Sequence, residues 1–431
     1  MRIAVVGLGK LGAPLAGMLA KSGAKVTGAD CDEDLISQLR VGDVSTLEPG
    51  LKQLLVSVGS NLTYTTDTAQ AVANADAIFI LVPTPSTNTG EFSNASLLAV
   101  IAEIGPVLAH KPNHHLIIIV STVMPGTMEL VIQPALEQAV GRSVGEDLGL
   151  CYCPEFVALG SVIHGMEYPD LVLIGQSDKA AGNRLVSILR PIWAGDPAIK
   201  QLNFINAELT KLAVNSFVTT KISYANMLSE LCDKMPGADA QIVTSAIGCD
   251  SRIAPGYLTP GLGFAGPCFP RDNRALVTLA NRLGQSADIA AATDTINDRQ
   301  TARIVAMVSS LAPQGTIGVL GLAYKPGSDV CEASQGVKIA LELADRGHRV
   351  LTHDPSAKVD LPPVIERLDD IDDCARACDL LVIATPWPEY ARIGHAAMSR
   401  DGRRLIVVDC WRIPELRAAA GLVELVYPGS G

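Results

Sequence analysis

A glycine-rich turn near the start of the chain constrains the fold more than any other feature. The apolar run RIAVV at 2–6 predicts a short buried strand, and an Ala/Leu-rich helix is predicted to about Ser22. Between them stand Gly7, Gly9 and Gly12. In a nucleotide-binding βαβ unit such glycines make the tight turn, admit a pyrophosphate and let the helix pack on the strand. The spacing therefore predicts a doubly wound, Rossmann-like α/β domain.

An acidic residue marks the end of the second predicted strand. Residues 25–28 predict this strand, and Asp30 follows it, about twenty residues after the turn. A carboxylate there accepts hydrogen bonds from a ribose diol and repels a 2′-phosphate, which favours NAD over NADP. A Rossmann-like domain without a cofactor is the alternative. The cofactor contacts predicted in this part of the chain are Gly7, Gly9, Lys10, Leu11, Gly12 and Asp30.

Two further turns are expected at the same edge of the sheet. The predicted strand 77–82 leads into Pro83 and Thr84, and the predicted strand 116–120 leads toward Thr122. Ligands of open parallel sheets bind beyond the carboxyl ends of the strands. These three residues are therefore expected to line the cofactor cleft.

A carboxylate follows another predicted strand. Residues 149–153 predict the strand, and the sequence CPEF then brings Glu155 to the same edge. An ordinary loop carboxylate is the simpler explanation of this residue when it is considered alone.

The pattern from about 203 to 235 is that of one long helix, which a Pro-Gly pair ends. About thirty residues at 1.5 Å each give roughly 45 Å, which is longer than one domain needs. We expect this helix to bridge two domains and to contribute to a dimer interface. Glu208, Lys211 and Asn215 share one of its faces because they are three and four residues apart. A solvated polar face is the alternative.

The stretch GLGFAGPCFPRD at 261–272 carries one thiol at the end of a turn. A helix is predicted to start at Pro270 and to run to about Asn281, so Cys268 would lie just before a helix N-terminus. The macrodipole and the amides there favour the thiolate, whereas an ordinary thiol is only a few per cent ionised at neutral pH. The pattern indicates a reactive cysteine, with a buried cysteine acting as a small hydrophobe as the alternative.

A second α/β pattern follows the helical middle of the chain. Its predicted strands lie at 316–320, 348–352 and 380–384, with a helix at 334–345. The order repeats that of the first domain without its GxGxxG motif, and the second of these strands ends at Asp354. A second nucleotide-type cleft is therefore expected.

The composition narrows the classes of function. A net charge of −11 argues against nucleic acid as the main partner. The ten cysteines are scattered and do not form a compact disulfide framework, which indicates a reducing compartment. The close pairs 151/153 and 374/378 have neither a matching second pair nor nearby histidines, so no metal site is expected. No apolar run approaches the ~20 residues of a membrane span. We expect a cytoplasmic enzyme with no bound metal and no membrane partner.

Six motifs in order resemble those of the UDP-glucose/GDP-mannose dehydrogenase family, the nucleotide-sugar 6-dehydrogenases, and most closely its UDP-glucose 6-dehydrogenases. They are GLGKLG with Asp30, STVMPGT, CPEF, AELTKLAVNSFVTTKISYAN, the cysteine stretch and GLAYKP. The resemblance covers the whole chain. It implies an NAD-binding Rossmann domain at 1–200, a central helical domain at 201–300 with the cysteine and the dimer interface, and a C-terminal UDP-sugar-binding Rossmann-like domain at 301–431.

The resemblance also implies a chemistry. Members of this family oxidise the C6 alcohol of a UDP-sugar to a carboxylate with two NAD, and they keep the intermediate attached to a cysteine. Cys268 is implied to form the thiohemiacetal and then the thioester. Lys211 and Asn215 are implied to stabilise the developing oxyanion.

Three further residues are implied to serve the hydrolysis of the thioester. Asp272 matches a carboxylate that orients water and the lysine, Glu155 matches a general base, and Thr122 matches a hydroxyl that positions water. The substrate contacts that the resemblance implies are Glu155, Phe156, Lys211, Asn215, Arg252, Tyr257, Gly263 and Lys325. Arg252 would reach the sugar or, across the dimer, the neighbouring subunit's site. Surface or loop positions are the alternative for Arg252, Tyr257 and Lys325.

The sequence departs from the family pattern at several positions that bear on sugar specificity and NAD affinity. Leu159 lies in a run where a carboxylate is common, and Cys331 stands where an arginine would help to bind the cofactor. The segment DCWR, with Trp411, replaces an expected Asp-Gly-Arg. Pro267 and Arg271 differ from the commonest Ser and Lys.

The sequence leaves several functions open. UDP-glucose, UDP-galactose and N-acetylated UDP-hexosamines remain candidate substrates, because one contact at C2 or C4 of the sugar can decide between them. A two-electron dehydrogenase of the β-hydroxyacid type and a degenerate protein that only binds a nucleotide sugar are the alternatives to a four-electron enzyme. A homodimer through the long helix is the expected assembly.

Overall fold

The computed structural model of the protein describes residues 1–44, 46–111, 115–145, 148–394, 404–418 and 421–431. The chain forms two compact units, Met1–Ala213 and Val214–Gly431. One long helix begins in the first unit and ends in the second.

The described part of the first unit contains one eight-stranded sheet in the order β3-β2-β1-β4-β5-β6-β7-β8. Its strands are β1 Arg2–Val6, β2 Lys25–Ala29, β3 Leu62–Thr65, β4 Ala77–Ile80, β5 His115–Ile119, β6 Leu148–Tyr152, β7 Leu171–Gln176 and β8 Ala198–Leu202. The pair β6 and β7 is antiparallel, and the other described pairs of this sheet are parallel. This is a doubly wound sheet whose strand order reverses next to β1.

Helices cover both faces of this sheet. They are α1 Gly12–Lys21, α2 Glu33–Val41, α3 Leu51–Val58, α4 Thr68–Ala73, α5 Ala95–Ala109, α6 Gln133–Val140, α7 Val162–Glu167 and α8 Lys179–Leu189, with short turns at Gly59–Asn61, Met128–Ile132 and Arg190–Ile192. Alternate residues of β5 enter different cores: Leu116 and Ile118 lie in one, and Ile117 and Ile119 lie in the other. The unbroken apolar runs of the sequence follow from this burial on both faces.

The long helix is α9 Phe204–Cys232, with 29 residues. Its ends lie one and three residues inside the predicted bounds. The helices α10 Ala240–Gly248, α11 Phe269–Arg282 and α12 Asp288–Leu311 follow it in the second unit. The cysteine stretch connects α10 to α11.

The second unit ends in a six-stranded parallel sheet, in the order β11-β10-β9-β12-β13-β14 among the described residues. Its elements are β9 Thr316–Leu320, α13 Gln335–Asp345, β10 Arg349–His353, β11 Ile365–Arg367, α14 Ile371–Ala377, β12 Leu380–Ile383, the turn Pro388–Arg392, β13 Leu405–Asp409, α15 Pro414–Arg417 and β14 Val423–Val426. The sequence predicted two doubly wound sheets, separated in the chain by a helical region. The structure confirms this fold class.

The second sheet repeats the glycine contacts of the first. Gly7 and Gly321 both end a first strand with positive φ, +92° and +96°. A Cβ on Gly12 would lie 1.8 Å from the carbonyl oxygen of Gly7, and one on Gly336 would lie 1.9 Å from that of Gly321. In both places only glycine lets the following helix pack this closely on the turn.

Candidate active site

The turn after β1 has the geometry of a dinucleotide site. Gly7 donates its amide to the carbonyl of Ala29 at 2.8 Å, which joins the ends of β1 and β2. No described atom lies within 4 Å of the position that a Cβ would take on Gly9, so a ligand can approach this backbone. Helix α1 begins directly after Leu11, which provides no side-chain cap. Backbone amides at such a helix start are suited to a phosphate.

Asp30 directly follows β2 and has acceptor positions to spare. Its Oδ2 accepts the amide of Leu8 at 2.7 Å, and its Oδ1 accepts the amide of Asp32 at 3.0 Å. Two oxygens offer about four lone-pair sites, so the carboxylate keeps acceptor capacity for a ribose diol. The open backbone at Gly9 and this carboxylate fit NAD.

The turns after β4 and β5 are joined to each other. Thr84 Oγ1 donates to the carbonyl of Thr122 at 2.7 Å, and Ser121 Oγ donates to the carbonyl of Val82 at 2.6 Å. These bonds bring Thr84 and Thr122 together at the carboxyl edge of the sheet, next to Pro83.

Glu208, near the start of α9, is a buried residue whose role the sequence analysis missed. Its carboxylate accepts the amides of Gly126 and Met128, both at 2.7 Å. Burial raises the pKa of Glu208 to about 7, against the effect of these amides. The carboxylate therefore fixes the turn that carries STVMPGT. No local signal marks this role, because its partners lie about eighty residues away in the chain.

Lys211, Glu155 and Phe156 form one cluster in the first unit. The ammonium of Lys211 donates to the backbone carbonyl of Glu155 at 2.7 Å and lies 4.4 Å from the centre of the Phe156 ring. Burial raises the pKa of the Glu155 carboxyl to about 7, and the charge of Lys211 opposes this rise. A carboxylate that titrates near neutral pH is suited to general base catalysis.

Cys268 lies at the position that the sequence predicts. It is the N-cap residue of α11, no side chain caps the helix, and Pro270 occupies the first turn. The thiol is exposed, unlike those of Cys151, Cys153, Cys374 and Cys410. Exposure at a helix N-terminus favours the thiolate and its reaction with a ligand.

Asn215 and Asp272 form a buried pair beside this helix start. The Asn215 amide donates to Asp272 Oδ2 at 2.6 Å. Asp272 Oδ1 is buried and accepts no hydrogen bond within the described chain, although Arg271 Nε lies 3.5 Å away. A buried carboxylate oxygen with this spare capacity is suited to hold a water or a ligand group.

The other candidate substrate residues of the second unit divide into two groups. The ring of Tyr257 lies edge-on to that of Phe269, with centroids 6.3 Å apart, so Tyr257 is close to the cysteine turn. The Lys325 ammonium lies 5.8 Å from the centre of the Tyr324 ring. The pKa of Tyr324 is raised mainly by burial and to a smaller extent by the charge of Cys268, so Lys325 is also close to the cysteine turn. Arg252, in contrast, points to solvent and pairs with Asp250 at 2.6 Å.

Three residues that depart from the family pattern make local contacts within their own unit. The Cys331 thiol donates to the carbonyl of Asp329 at 3.6 Å, and Trp411 Nε1 donates to the carbonyl of Ala384 at 2.9 Å. Leu159 packs against the core of the first unit.

Asp354, which follows β10, differs from Asp30. Five groups donate hydrogen bonds of 2.7–3.1 Å to its two oxygens, namely the amides of Leu322, Ala323, Ser356 and Ala357 and the indole of Trp387. All of its lone-pair sites are engaged. This carboxylate therefore stabilises the second unit rather than binding a ribose.

Among the helices of the described residues, none has the length and apolar character required to cross a membrane.

Three family models match consecutive parts of the chain. They are the NAD binding domain of the UDP-glucose/GDP-mannose dehydrogenase family at residues 1–193, its central domain at 205–299 and its UDP binding domain at 318–415.

Curated relatives and solved structures give consistent similarities. The UDP-glucose 6-dehydrogenase AglM of Haloferax volcanii is 33% identical to this chain, and the alignment covers 99% of this chain and 100% of the relative. A GDP-mannose 6-dehydrogenase of Pseudomonas syringae pv. syringae is 34% identical over 80% of this chain and 79% of its own. The structure of a UDP-glucose dehydrogenase from Pyrobaculum islandicum matches with a TM-score of 0.89 and 31% identity, covering 100% of this chain and 97% of that one.

Proposed function

This chain belongs to the UDP-glucose/GDP-mannose dehydrogenase family, and on that premise we propose that it oxidises the C6 alcohol of UDP-glucose to the carboxylate. The family is that of NAD-dependent nucleotide-sugar 6-dehydrogenases, and the chain carries its NAD-binding domain. UDP-glucose is proposed because full-length relatives at 30–33% identity bear that name.

The main observation that supports a four-electron reaction is the exposed thiol of Cys268 at the N-terminus of α11. A simple alcohol dehydrogenase has no need of a nucleophile. An enzyme that continues from the aldehyde to the acid has to hold the aldehyde, and a thiolate does so covalently.

The cofactor would be held by the turn from Gly7 to Gly12 and by Asp30, and it supplies a hydride acceptor for each of two oxidations. In the first oxidation, C6 loses a hydride and the alcohol loses a proton, which gives the aldehyde. The Cys268 thiolate then adds to C6, and the oxyanion takes up a proton to form a thiohemiacetal. Loss of a second hydride from C6, together with the hydroxyl proton, gives the thioester.

Hydrolysis completes the reaction. Glu155 takes a proton from water as the water attacks C6, and the C–S bond breaks to return the Cys268 thiolate. Lys211 and Asn215 are proposed to donate to the oxyanion in these steps, and Asp272 and Thr122 to orient water. The raised pKa of Glu155, about 7, supports its role as the base.

The stoichiometry of NADH tests this proposal. Limiting UDP-glucose is mixed with excess NAD, with UDP-galactose, UDP-N-acetylglucosamine and GDP-mannose in parallel. We expect two NADH per UDP-glucose. One NADH per sugar would identify a two-electron dehydrogenase, and no NADH from any of these sugars would contradict the proposed activity.

Variants of exposed cysteines sharpen the test. The Cys268→Ala variant should bind UDP-glucose but release no UDP-glucuronate, because the thioester cannot form. The Cys249→Ala variant is the matched control, since Cys249 is also exposed. Equal rates of acid formation by the two variants would remove Cys268 from the reaction.

We also propose that a second copy of the chain covers part of α9. Phe217, Tyr224 and Leu231 are exposed apolar residues, and they are seven residues apart on this helix. A repeat of seven places them on one face, which is the pattern of a helix that pairs with another helix.

A further inference from the structure

The backbone that leads to Cys268 is bound by an asparagine of α9. Asn226 Oδ1 accepts the amide of Gly261 at 3.0 Å, and Asn226 Nδ2 donates to the carbonyl of Leu262 at 3.1 Å. Asn226 is buried. Its side-chain amide therefore binds one main-chain donor and one main-chain acceptor, at two adjacent residues.

An asparagine of α12 repeats this arrangement two residues later. Asn297 Oδ1 accepts the amide of Phe264 at 2.7 Å, and Asn297 Nδ2 donates to the carbonyl of the same residue at 3.1 Å. A Cβ on Gly263 would lie only 2.4 Å from Asn297 Oδ1. Glycine at 263 is therefore required for the asparagine to reach the backbone.

A third contact fixes the chain just before the thiol. The amide of Gly266 donates to the carbonyl of Glu332 at 2.9 Å. Gly266 has φ +85°, and a Cβ there would lie 2.6 Å from the Tyr324 ring. Cys268 follows two residues later as the N-cap residue of α11, so its sulfur is located by the segment before it and the helix after it.

We propose that Asn226 and Asn297 are positioning residues that set the location of the Cys268 sulfur. A side-chain amide offers one donor and one acceptor together, whereas a carboxylate lacks the donor. The peptide groups that the two amides bind are in a buried segment, so loss of a donor leaves a carbonyl oxygen unpaired and moves the segment. A displacement of about 1 Å at a reacting atom can lower a rate by about a hundredfold.

This inference rests on the proposed reaction of Cys268. The test uses Asn226→Asp and Asn297→Asp, which keep the size of the side chain and remove its donor. Asn281→Asp, at an exposed position of α11, is the matched control. The alkylation rate of Cys268 by iodoacetamide, followed on the Cys268 peptide by mass spectrometry, is measured with kcat and with KM for NAD.

We expect kcat and the alkylation rate to fall at least tenfold in Asn226→Asp and Asn297→Asp, with KM for NAD within twofold of the control. A role limited to stability would lower the melting temperature and leave the alkylation rate of the folded protein unchanged. Rates within twofold of Asn281→Asp would overturn the inference.

The serine variants Asn226→Ser and Asn297→Ser serve if the aspartate variants do not fold. A serine hydroxyl leaves room for a water and keeps one hydrogen bond, and the same fall in both rates is expected. Serine variants that fold and keep both rates within twofold would equally overturn the inference. Failure of the proposed function is recognised separately, because the wild-type protein would then not form two NADH per UDP-glucose, or Cys268→Ala would form the acid as fast as Cys249→Ala.

Discussion

The Asn215 amide donates a hydrogen bond of 2.6 Å to Oδ2 of Asp272, and this bond joins α9 to the first turn of α11. The amide of Asp272 in turn donates to the carbonyl of Cys268 at 2.8 Å. The carboxylate is thus held at a fixed place relative to the helix start that carries the thiol.

Replacement of Asp272 by asparagine should lower kcat by about a hundredfold or more, because the variant loses a buried charge near the thiol. The asparagine keeps an oxygen that can accept from Asn215, so the melting temperature should change little. Steady-state NADH formation and thermal unfolding measure the two effects. A variant with normal kcat would exclude Asp272 from the reaction.

The rate of acid release should depend on the ionisation of Glu155. Burial raises its pKa to about 7, so the carboxylate that acts as a base predominates only above that pH. We expect single-turnover hydrolysis to slow as the pH falls below about 7, and Glu155→Gln to be slow at every pH. Glu208→Gln is the control, since the pKa of Glu208 is also about 7. If the fall in hydrolysis rate at low pH persisted in Glu155→Gln and disappeared in Glu208→Gln, the titrating group would be Glu208.

Removal of the Glu208 carboxylate should destabilise the first unit. Glu208→Ala leaves the amides of Gly126 and Met128 without their acceptor, at a cost of about 1–3 kcal/mol in the free energy of unfolding. Urea unfolding measures this, with Glu103→Ala on the exposed side of α5 as the control. Equal stability of the two variants would show that water replaces the carboxylate.

The same residue predicts a dependence of stability on pH. The pKa of Glu208 is higher in the folded protein than its ordinary value of 4.5, so folding favours the protonated form. The stabilisation is complete below the unfolded pKa and is lost as the pH rises through about 7. We expect Glu208→Gln to remove this loss when melting temperatures are compared across that range. Parallel curves for wild type and variant would contradict it.

Asp30 should determine which cofactor is accepted. Asp30→Asn keeps an acceptor for the amide of Leu8 but removes the charge that repels a 2′-phosphate. We expect the ratio of kcat/KM for NADP to that for NAD to rise about tenfold, which corresponds to about 1.4 kcal/mol. Asp34→Asn, exposed in the first turn of α2, is the control. An unchanged ratio would place the origin of NAD preference elsewhere.

A charge on the exposed face of α9 should separate the proposed dimer. Phe217→Glu puts a carboxylate among the apolar residues Tyr224 and Leu231, and its burial against a second copy would be unfavourable. Sedimentation velocity should give half the mass of wild type, whereas Ala292→Glu on α12 should not change it. Wild-type protein that sediments as a monomer would refute the dimer directly.

The strands and helices that the periodicity and the glycines predicted lie within a few residues of observed elements, although many other elements were not predicted. Strand β9 was predicted at its observed bounds, and Cys268 was correctly placed before a helix that starts beside Pro270. These features are local, because apolar runs, glycine turns and proline each act on the adjacent backbone.

The contacts that the sequence could not reveal join distant parts of the chain. Glu208 and Asn226 are polar residues on a helix, and such residues are usually solvated, so nothing nearby marks them as buried. Arg252 is the opposite case. A contact at the substrate site was expected for it, but its guanidinium pairs with Asp250, two residues away in the chain. The domain boundaries and the roles in the reaction stay predictions.

The saturated carboxylate of Asp354 has a consequence for redesign. The second sheet keeps the two close glycine contacts of a dinucleotide site, but Gly321 and Gly336 stand fifteen residues apart, where Gly7 and Gly12 stand five apart. Shortening this loop to the length of the first would not create a second NAD site. Trp387 would also have to be replaced, because its indole occupies one of the acceptor positions that a ribose requires. The difference between the two sheets in binding a dinucleotide therefore depends on the engaged carboxylate of Asp354 as much as on the spacing of the glycines.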